Sequence, residues 1–269
     1  MSDFIINIKE IAEKETVYSY GDRCLYRMSQ EVLKAPDENK IASMIWLIGR
    51  SYSASPERIT KAIDHNKYVN DKNKMPEIVF ENMAKYLNDN IVNDKNSLYD
   101  QGYLFDSSDK DIKHLCDTIE LVYRINESKC SINRATNMIS FSSKFLHFCM
   151  PNRVFIYDQY SRKGTAALFG KHKRFDDACI NEYTGKYIEL KDEVNENITV
   201  SPRYNSENIE QDNELLKDYI RHVCGCYLLA SIIHQSEING IQIDENKYSI
   251  PRLVDSVLMD IGKKEYMKG

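Results

Sequence analysis

The stretch that decides the fold is residues 131–170, SINRATNMISFSSKFLHFCMPNRVFIYDQYSRKGTAALFG. Ser131 can cap a short helix, because apolar residues recur at three-residue spacing from there to Met138. Serines at three of the four positions 140–143 then interrupt the pattern, and short polar side chains of this kind bond to nearby backbone and favour turns. The sequence therefore predicts a helix followed by a turn at 140–143.

A second apolar run, residues 145–150, follows this turn and ends at Pro151, which cannot continue a helix. A short apolar segment, residues 154–157, leads to Asp158, whose carboxylate can cap the first N–H groups of another helix. We therefore predict helix, hairpin, helix, loop and helix. Lys144 lies just after the hairpin, and Asp158 begins the third helix.

Lys144 and Asp158 have the chemical properties needed to cleave a glycosidic bond. Burial of an amine near a helix start removes its solvation and favours the nucleophilic form. A carboxylate at a helix N-terminus is stabilised as an anion, and beside a sugar it can stabilise an oxocarbenium-like transition state. We predict that the two side chains face one cleft.

These residues resemble the helix-hairpin-helix DNA glycosylases of the endonuclease III and 8-oxoguanine glycosylase superfamily. The family hairpin, L-P-G-V-G-x-K-T-A, is similar to residues 138–146, MISFSSKFL, and the later V-D pair of the family is similar to Tyr157-Asp158. The chain is also similar to divergent bacterial proteins in which S/T-K-x-L-x-F precedes P-x-x-x-x-I-x-D. Serines stand at both hairpin glycine positions, and the interval from Lys144 to Asp158 is about one helical turn shorter than in the family.

The resemblance implies an enzyme that extrudes a nucleotide from duplex DNA and breaks its N-glycosidic bond, without a metal or other cofactor. Lys144 would attack the sugar or position a water molecule, and Asp158 would stabilise the sugar cation. The divergent relatives also imply a role in defence against phage, with a modified base as target. The DNA-binding residues would be Ser140, Ser142, Arg162, Lys163, Lys171, Lys173 and Arg174, and the base pocket would contain Tyr157, Tyr160 and His147.

Several of these residues also have purely structural interpretations. The basic segment at 171–174 can clamp DNA phosphates, but cations at a helix end also complement the helix dipole. Tyrosines at a helix start can stack on an extruded base or simply pack, and His147 can be a hydrogen-bonded core histidine. His222 and Cys226, four residues apart, provide two metal ligands where a site needs at least three, so we predict no metal there.

Composition places the protein among helical, cytoplasmic proteins. With 10 Gly and 6 Pro in 269 residues, a turn-rich all-β fold and a disordered chain are both disfavoured. The net charge of −5 means that any DNA contact depends on a local basic patch. The seven cysteines have neither zinc nor redox spacing, and no apolar run reaches membrane-spanning length. The first residues lack the pattern of a signal peptide, so we expect a cytoplasmic protein.

We therefore predict an all-α fold of two lobes around a glycosylase-like core. The predicted divisions are a helical lobe at 1–130, the core at 131–170, a polar insertion at 171–211 and C-terminal helices at 212–269. Within the insertion, residues 188–190 and 198–200 are predicted as short paired strands.

Two other functions are compatible with the same pattern. The serine hairpin favours a catalytically inactive module that binds nucleic acid or a protein. The net negative charge favours a helical interaction or regulatory protein without any nucleic-acid role.

Overall fold

The computed structural model of the chain describes residues 8, 10–11, 20–52, 75–93, 108–126, 138–171, 173–175, 178–198, 209–237 and 249–267. These residues are mainly helical and include no β-strand, which confirms the predicted all-α class for the described ranges. A π-helical segment, Asn88–Val92, directly follows the third helix. The α-helices are α1 Tyr20–Lys34, α2 Glu38–Ser51, α3 Met75–Leu87, α4 Ser108–Asn126, α5 Ile139–Cys149, α6 Gln159–Phe169, α7 Ala178–Asn197, α8 Ile209–Glu237 and α9 Ile250–Tyr266.

The chain divides into two compact units, each built from separate stretches of sequence. The lysine unit, which contains Lys144, comprises Tyr18–Gln101 and Leu121–Met150. The aspartate unit, which contains Asp158, comprises Met1–Val17, Gly102–Glu120 and Pro151–Gly269. The chain thus passes between the units four times, after Val17, after Gln101, within α4 and at Pro151, and the last of these lies inside the stretch predicted as a single core.

Local capping explains where several helices begin. The Asp37 side chain accepts a 3.0 Å bond from the backbone N–H of Lys40 and caps α2 directly after Pro36. Ser249 accepts a 3.3 Å bond from the N–H of Arg252 and caps α9, with Pro251 in the first turn. Apolar periodicity and capping residues in the sequence predict helices at 22–35 and 37–52 and a helix start at Ser249, and the structure confirms all three.

The lysine unit buries the apolar stripes of its helices against one another. α1 and α5 are also joined by Ser29, which is fully buried and whose hydroxyl lies 2.6 Å from the Phe148 carbonyl and 2.8 Å from the Tyr26 carbonyl. This bond satisfies a polar group inside the core. The main core residues of the unit are Leu25, Val32, Ile41, Met44, Ile45, Ile48, Met83, Leu87, Ile91, Phe145 and Phe148.

The aspartate unit is organised around a backbone-to-backbone crossing of α6 and α9. A Cβ atom at Gly164 would overlap the backbone of Leu258, and a Cβ atom at Gly262 would overlap the backbone of Tyr160. Only glycine permits such an approach, so these two positions set the separation of the helices. α8 completes this core with Tyr219, Ile220, Val223, Leu229 and Ile233.

Two secondary-structure predictions are wrong. Residues 140–143 are not a turn, because α5 begins at Ile139 and runs through them. The insertion is not irregular, because α7 occupies Ala178–Asn197, and residues 188–190, predicted as a strand, are helical. Ile198 lies just past the end of α7, and residues 199–200 fall outside the described part of the chain.

Other predicted elements also lie outside the described ranges. These are the short helix from Ser131, the short helix after Ser55 and most of a helix predicted from Asp3, of which Ile8, Glu10 and Ile11 are described as helical. Among the described helices, none combines the length and the apolar character that crossing a membrane requires.

Candidate functional site

Asp158 is held by a complete capping box at the start of α6. Its Oδ1 atom accepts 2.8 Å bonds from the backbone N–H groups of Tyr160 and Ser161. The Ser161 hydroxyl in turn accepts a 3.1 Å bond from the Asp158 N–H. The predicted capping role of Asp158 is therefore confirmed, and it supplies a structural reason for this residue that is independent of any chemistry.

The oxygen that Asp158 does not use for capping is the one of chemical interest. Among the described residues, both capping bonds end on Oδ1 and no hydrogen bond ends on Oδ2. The side chain is half-buried, in the positive field of the N-terminus of α6. The carboxylate is thus fixed in orientation through Oδ1 alone.

The segment that leads to Asp158 is fixed from behind by His222 of α8. Residues 154–157 are buried and extended, and the Nε2 atom of His222 donates a 2.8 Å bond to the carbonyl of Ile156. Thr165 Oγ1 lies 3.1 Å from His222 Nδ1 and 3.0 Å from the Ser161 carbonyl. Burial lowers the pKa of His222 to about 4, against the opposing effects of the Ile156 carbonyl and the Asp158 charge. The ring is therefore neutral at neutral pH.

Tyr157 serves mainly as a packing residue beside this network. Its buried ring makes edge contacts with Tyr219 and His222, at centroid distances of 5.4 and 5.2 Å. Burial raises the pKa of Tyr157, although its hydroxyl accepts a 3.3 Å bond from Arg162, which acts in the opposite direction. A base-pocket role for the Tyr157 ring would require it to leave these contacts.

We expect two substitutions to distinguish the capping bonds of Asp158 from its negative charge. Asp158→Ala removes both capping bonds and should lower the free energy of unfolding by about 1 kcal/mol. Asp158→Asn keeps a carbonyl oxygen that can accept both bonds, so it should stay within about 0.5 kcal/mol of the wild type. Urea unfolding followed by circular dichroism measures both values. Equal losses in the two variants would contradict the capping geometry.

Lys144 is buried in the lysine unit, on the second turn of α5. Its ammonium reaches back toward the helix start and donates a 2.8 Å bond to the hydroxyl of Ser140. It also lies 5.8 Å from the ring centroid of Tyr52. The amine is therefore buried, but Lys144 lies within α5 and does not follow a hairpin.

Asp22 and Tyr52 are the residues near Lys144 that the sequence did not indicate as a group. The Tyr52 hydroxyl donates to the carboxylate of Asp22, which is buried in α1. Tyr52 itself ends α2 as its C-cap residue. The sequence separates these residues by 30 and 92 positions and contains no pattern that joins them. The carboxylate, the phenol and the amine therefore form a polar cluster within the lysine unit.

The serines and the histidine of α5 do not occupy the predicted hairpin or pocket positions. Ser142 is fully buried and donates a 2.9 Å bond to the Met138 carbonyl, one turn back in the helix. This burial speaks against a phosphate contact by its side chain. His147 is also fully buried, and its Nε2 atom lies 2.8 Å from the Tyr26 hydroxyl, as in a hydrogen-bonded core histidine.

The chain matches none of the family models, curated proteins or solved structures with which it was compared. The glycosylase resemblance therefore depends on the residues of the chain alone.

The predicted basic residues all belong to the aspartate unit, but several have partners there. Arg174 forms an ion pair with Glu265 of α9, and Lys173 donates to Asn181 and to Thr184, both of α7. These contacts attach the segment after α6 to two other helices. They support the structural interpretation for Lys173 and Arg174.

Arg162, Lys163 and Lys171 are the other predicted DNA-binding residues of the aspartate unit. Arg162 and Lys171 are exposed, and Lys163 is half-buried over the ring of Tyr266. Tyr160, predicted for the base pocket, is also half-buried and belongs to the same unit as Asp158. Lys144, Ser140, Ser142 and His147 belong to the lysine unit.

No group of three or more His, Cys, Asp or Glu side chains in the described ranges is arranged to hold a metal ion. His222 and Cys226 do approach each other, with Sγ 3.3 Å from Nε2. Burial raises the pKa of Cys226, which favours the neutral thiol over the thiolate that metals bind.

Proposed function

We propose that this protein is a DNA glycosylase-like enzyme that cleaves the N-glycosidic bond of a damaged or modified base. Asp158 stabilises the developing sugar cation, and Lys144 attacks C1′ or positions the attacking water. A role in defence against phage, with a modified phage base as target, belongs to the same proposal.

One observation carries this proposal above all others: Asp158 is oriented entirely through Oδ1, while Oδ2 receives no hydrogen bond from a described residue. A carboxylate that stabilises an oxocarbenium ion must be held rigidly and must still present negative charge to the sugar. The capping box supplies the rigidity without using the second oxygen.

Lys144 supports the proposal through its buried amine. The 2.8 Å bond to Ser140 places the amine in a defined position, beside the ring of Tyr52. A lysine in such surroundings can act as a nucleophile toward a sugar carbon.

The experiment is a base-release assay on DNA duplexes that carry a panel of damaged or modified bases. Wild type should leave abasic sites in at least one duplex. Asp158→Asn should lower the rate of base release by about 100-fold while keeping the cap, since it removes a charge aimed at the transition state. Unchanged cleavage by a folded Asp158→Asn protein would exclude the mechanism.

The variant Lys144→Met tests the role of the lysine in the same assay, because methionine fills a similar volume without an amine. Loss of base release in a variant that still melts cooperatively would assign Lys144 to the reaction. Borohydride should trap a covalent complex with the wild type if the amine attacks C1′. Cleavage without trapping would indicate an attacking water instead.

The double variant tests whether the two residues act in the same reaction. Residues that act on one transition state have strongly non-additive effects, so Lys144→Met should cost much less rate in the Asp158→Asn background than in the wild type. Salt-dependent DNA binding without base release from any duplex would instead support the inactive binding module.

A further inference from the structure

The C-terminal end of α9 carries an exposed aromatic side chain that is held in place. Tyr266 is 57% exposed. The Lys163 ammonium lies 4.3 Å from the centroid of its ring, and the Tyr160 ring meets it edge to face, with centroids 6.0 Å apart. An exposed tyrosine is normal on a protein surface, but one held by two side chains of another helix has a defined orientation.

The glycine crossing explains why this group of side chains is ordered. Gly262 lies one helical turn before Tyr266 on the same face of α9, and a Cβ atom added to Gly262 would overlap the carbonyl of Tyr160. Lys163 is three residues after Tyr160 and shares its side of α6. This close approach of the two backbones thus brings all three side chains together.

The local charge is opposite in sign to that of the whole chain. The cations at this end are Lys163, the exposed Lys263, Lys264 and Arg174. The acids of α9 at this end, Asp260 and Glu265, are in ion pairs with Lys264 and Arg174, and Asp158 lies at the start of α6. Lys163 and Lys263 therefore leave this end with more cations than acids in a protein whose net charge is −5, and the excess is complementary to a phosphate backbone.

The same group of side chains is directly connected to Asp158. The backbone N–H of Tyr160 donates a 2.8 Å bond to the Asp158 carboxylate, while the Tyr160 ring contacts Tyr266. A DNA strand that lay along Tyr266 would therefore also lie beside Tyr160, whose backbone is bonded to the Asp158 carboxylate. All of these groups belong to the aspartate unit.

We propose that Tyr266, Tyr160, Lys163 and Lys263 form a binding site for single-stranded DNA, here named the tyrosine platform. A base stacks on the exposed part of the Tyr266 ring, and the two lysines contact phosphates on either side. Aromatic rings that bases stack on, set among cations, are the usual means of binding single strands without sequence preference. This inference deepens the proposed function, because it identifies unpaired DNA beside Asp158 as what the enzyme holds.

The test is the affinity of the purified protein for a fluorescently labelled single-stranded oligonucleotide, measured by anisotropy at several salt concentrations. Tyr266→Ala should weaken binding about 10-fold, whereas Tyr266→Phe should bind like the wild type, since stacking does not need the hydroxyl. Lys163→Ala should weaken binding and reduce the slope of log affinity against log salt by about one.

Lys186→Ala is the matched control. Lys186 of α7 also lies over a tyrosine ring, 4.6 Å from the centroid of Tyr183, so its removal changes the net charge by the same amount. It should leave binding unchanged, and a loss equal to that of Lys163→Ala would show that only total charge matters and would overturn the proposal. Equal affinity of Tyr266→Ala and wild type, or tighter binding of the same sequence as RNA, would also overturn it.

The outcomes separate this inference from the proposed activity. Binding that depends on Tyr266, in a protein that releases no base, would support the tyrosine platform and refute the enzyme. Base release that depends on Asp158, with binding indifferent to Tyr266→Ala, would support the enzyme and refute the platform.

Discussion

Replacing Gly164 or Gly262 by alanine is expected to lower the free energy of unfolding by at least about 3 kcal/mol. At each position the new Cβ atom would lie inside the contact distance of a backbone carbonyl on the facing helix. Overpacking of a core usually costs about 1–3 kcal/mol, and the cost is at its highest where the obstacle is backbone rather than a flexible side chain. α6 and α9 would have to separate, which would also disturb the start of α6.

Gly185→Ala is the control for the intrinsic effect of the substitution. Gly185 lies in the exposed middle of α7, and a Cβ atom there would meet nothing within 4 Å. Alanine is a better helix former than glycine, so this variant should be more stable than the wild type by about 0.5–1 kcal/mol.

Urea unfolding followed by circular dichroism measures these changes, and the fluorescence of Trp46, the only tryptophan, reports on the lysine unit separately. If Gly164→Ala and Gly185→Ala changed stability in the same direction, the close crossing of α6 and α9 would be wrong.

The parts of the fold that sequence reasoning predicted are those set by local interactions. Asp37, Asp158 and Ser249 each cap a helix, because a short side-chain oxygen can reach N–H groups two or three residues ahead whatever the remainder of the fold does. Apolar periodicity likewise indicated which side of most helices is buried. Each of these signals depends only on residues that are close together in the sequence.

The serines of α5 show where local reasoning failed. Ser142 and Ser143 donate back to carbonyls of the preceding turn, at 2.9 and 3.2 Å, so they satisfy their hydroxyls within the helix instead of ending it. Their burial among apolar neighbours favours the helix over the turn. The sequence alone does not show which of these two hydrogen-bonding patterns the packing selects.

The contacts around Lys144 and Asp158 were less predictable than the local signals that drew attention to these two residues. Of those signals, the helix start at Asp158 is confirmed, whereas the turn before Lys144 is not formed. The pairing of Tyr52 with Asp22, the bond of His222 to Ile156 and the contact of Lys163 with Tyr266 were not predicted, because they join residues far apart in the chain. The close crossing at Gly164 and Gly262 was not predicted either, because a glycine within a helical sequence does not by itself indicate that another helix packs against it.

Stability is expected to fall as the pH decreases from about 6.5 to about 4, with His222 contributing about 3 kcal/mol of the loss. Burial holds the pKa of His222 at about 4 in the folded protein, while 6.5 applies to the unfolded chain. Between these values the unfolded chain binds a proton that the folded protein does not, so protonation favours unfolding. The contribution is fully present above pH 6.5 and disappears as the pH falls through the folded pKa.

His222→Gln isolates this effect from the titration of carboxylates. A glutamine amide can donate to the Ile156 carbonyl in place of Nε2 but does not bind a proton in this range. The variant should lose stability at neutral pH, yet its unfolding free energy should change less between pH 6.5 and pH 4 than that of the wild type. If the unfolding free energies of the variant and the wild type changed by the same amount between pH 6.5 and pH 4, the His222 ring would not be buried in its neutral form. The support that His222 gives to the segment before Asp158 would then need a different explanation, because burial beside Tyr157 and Cys226 disfavours a charged imidazolium.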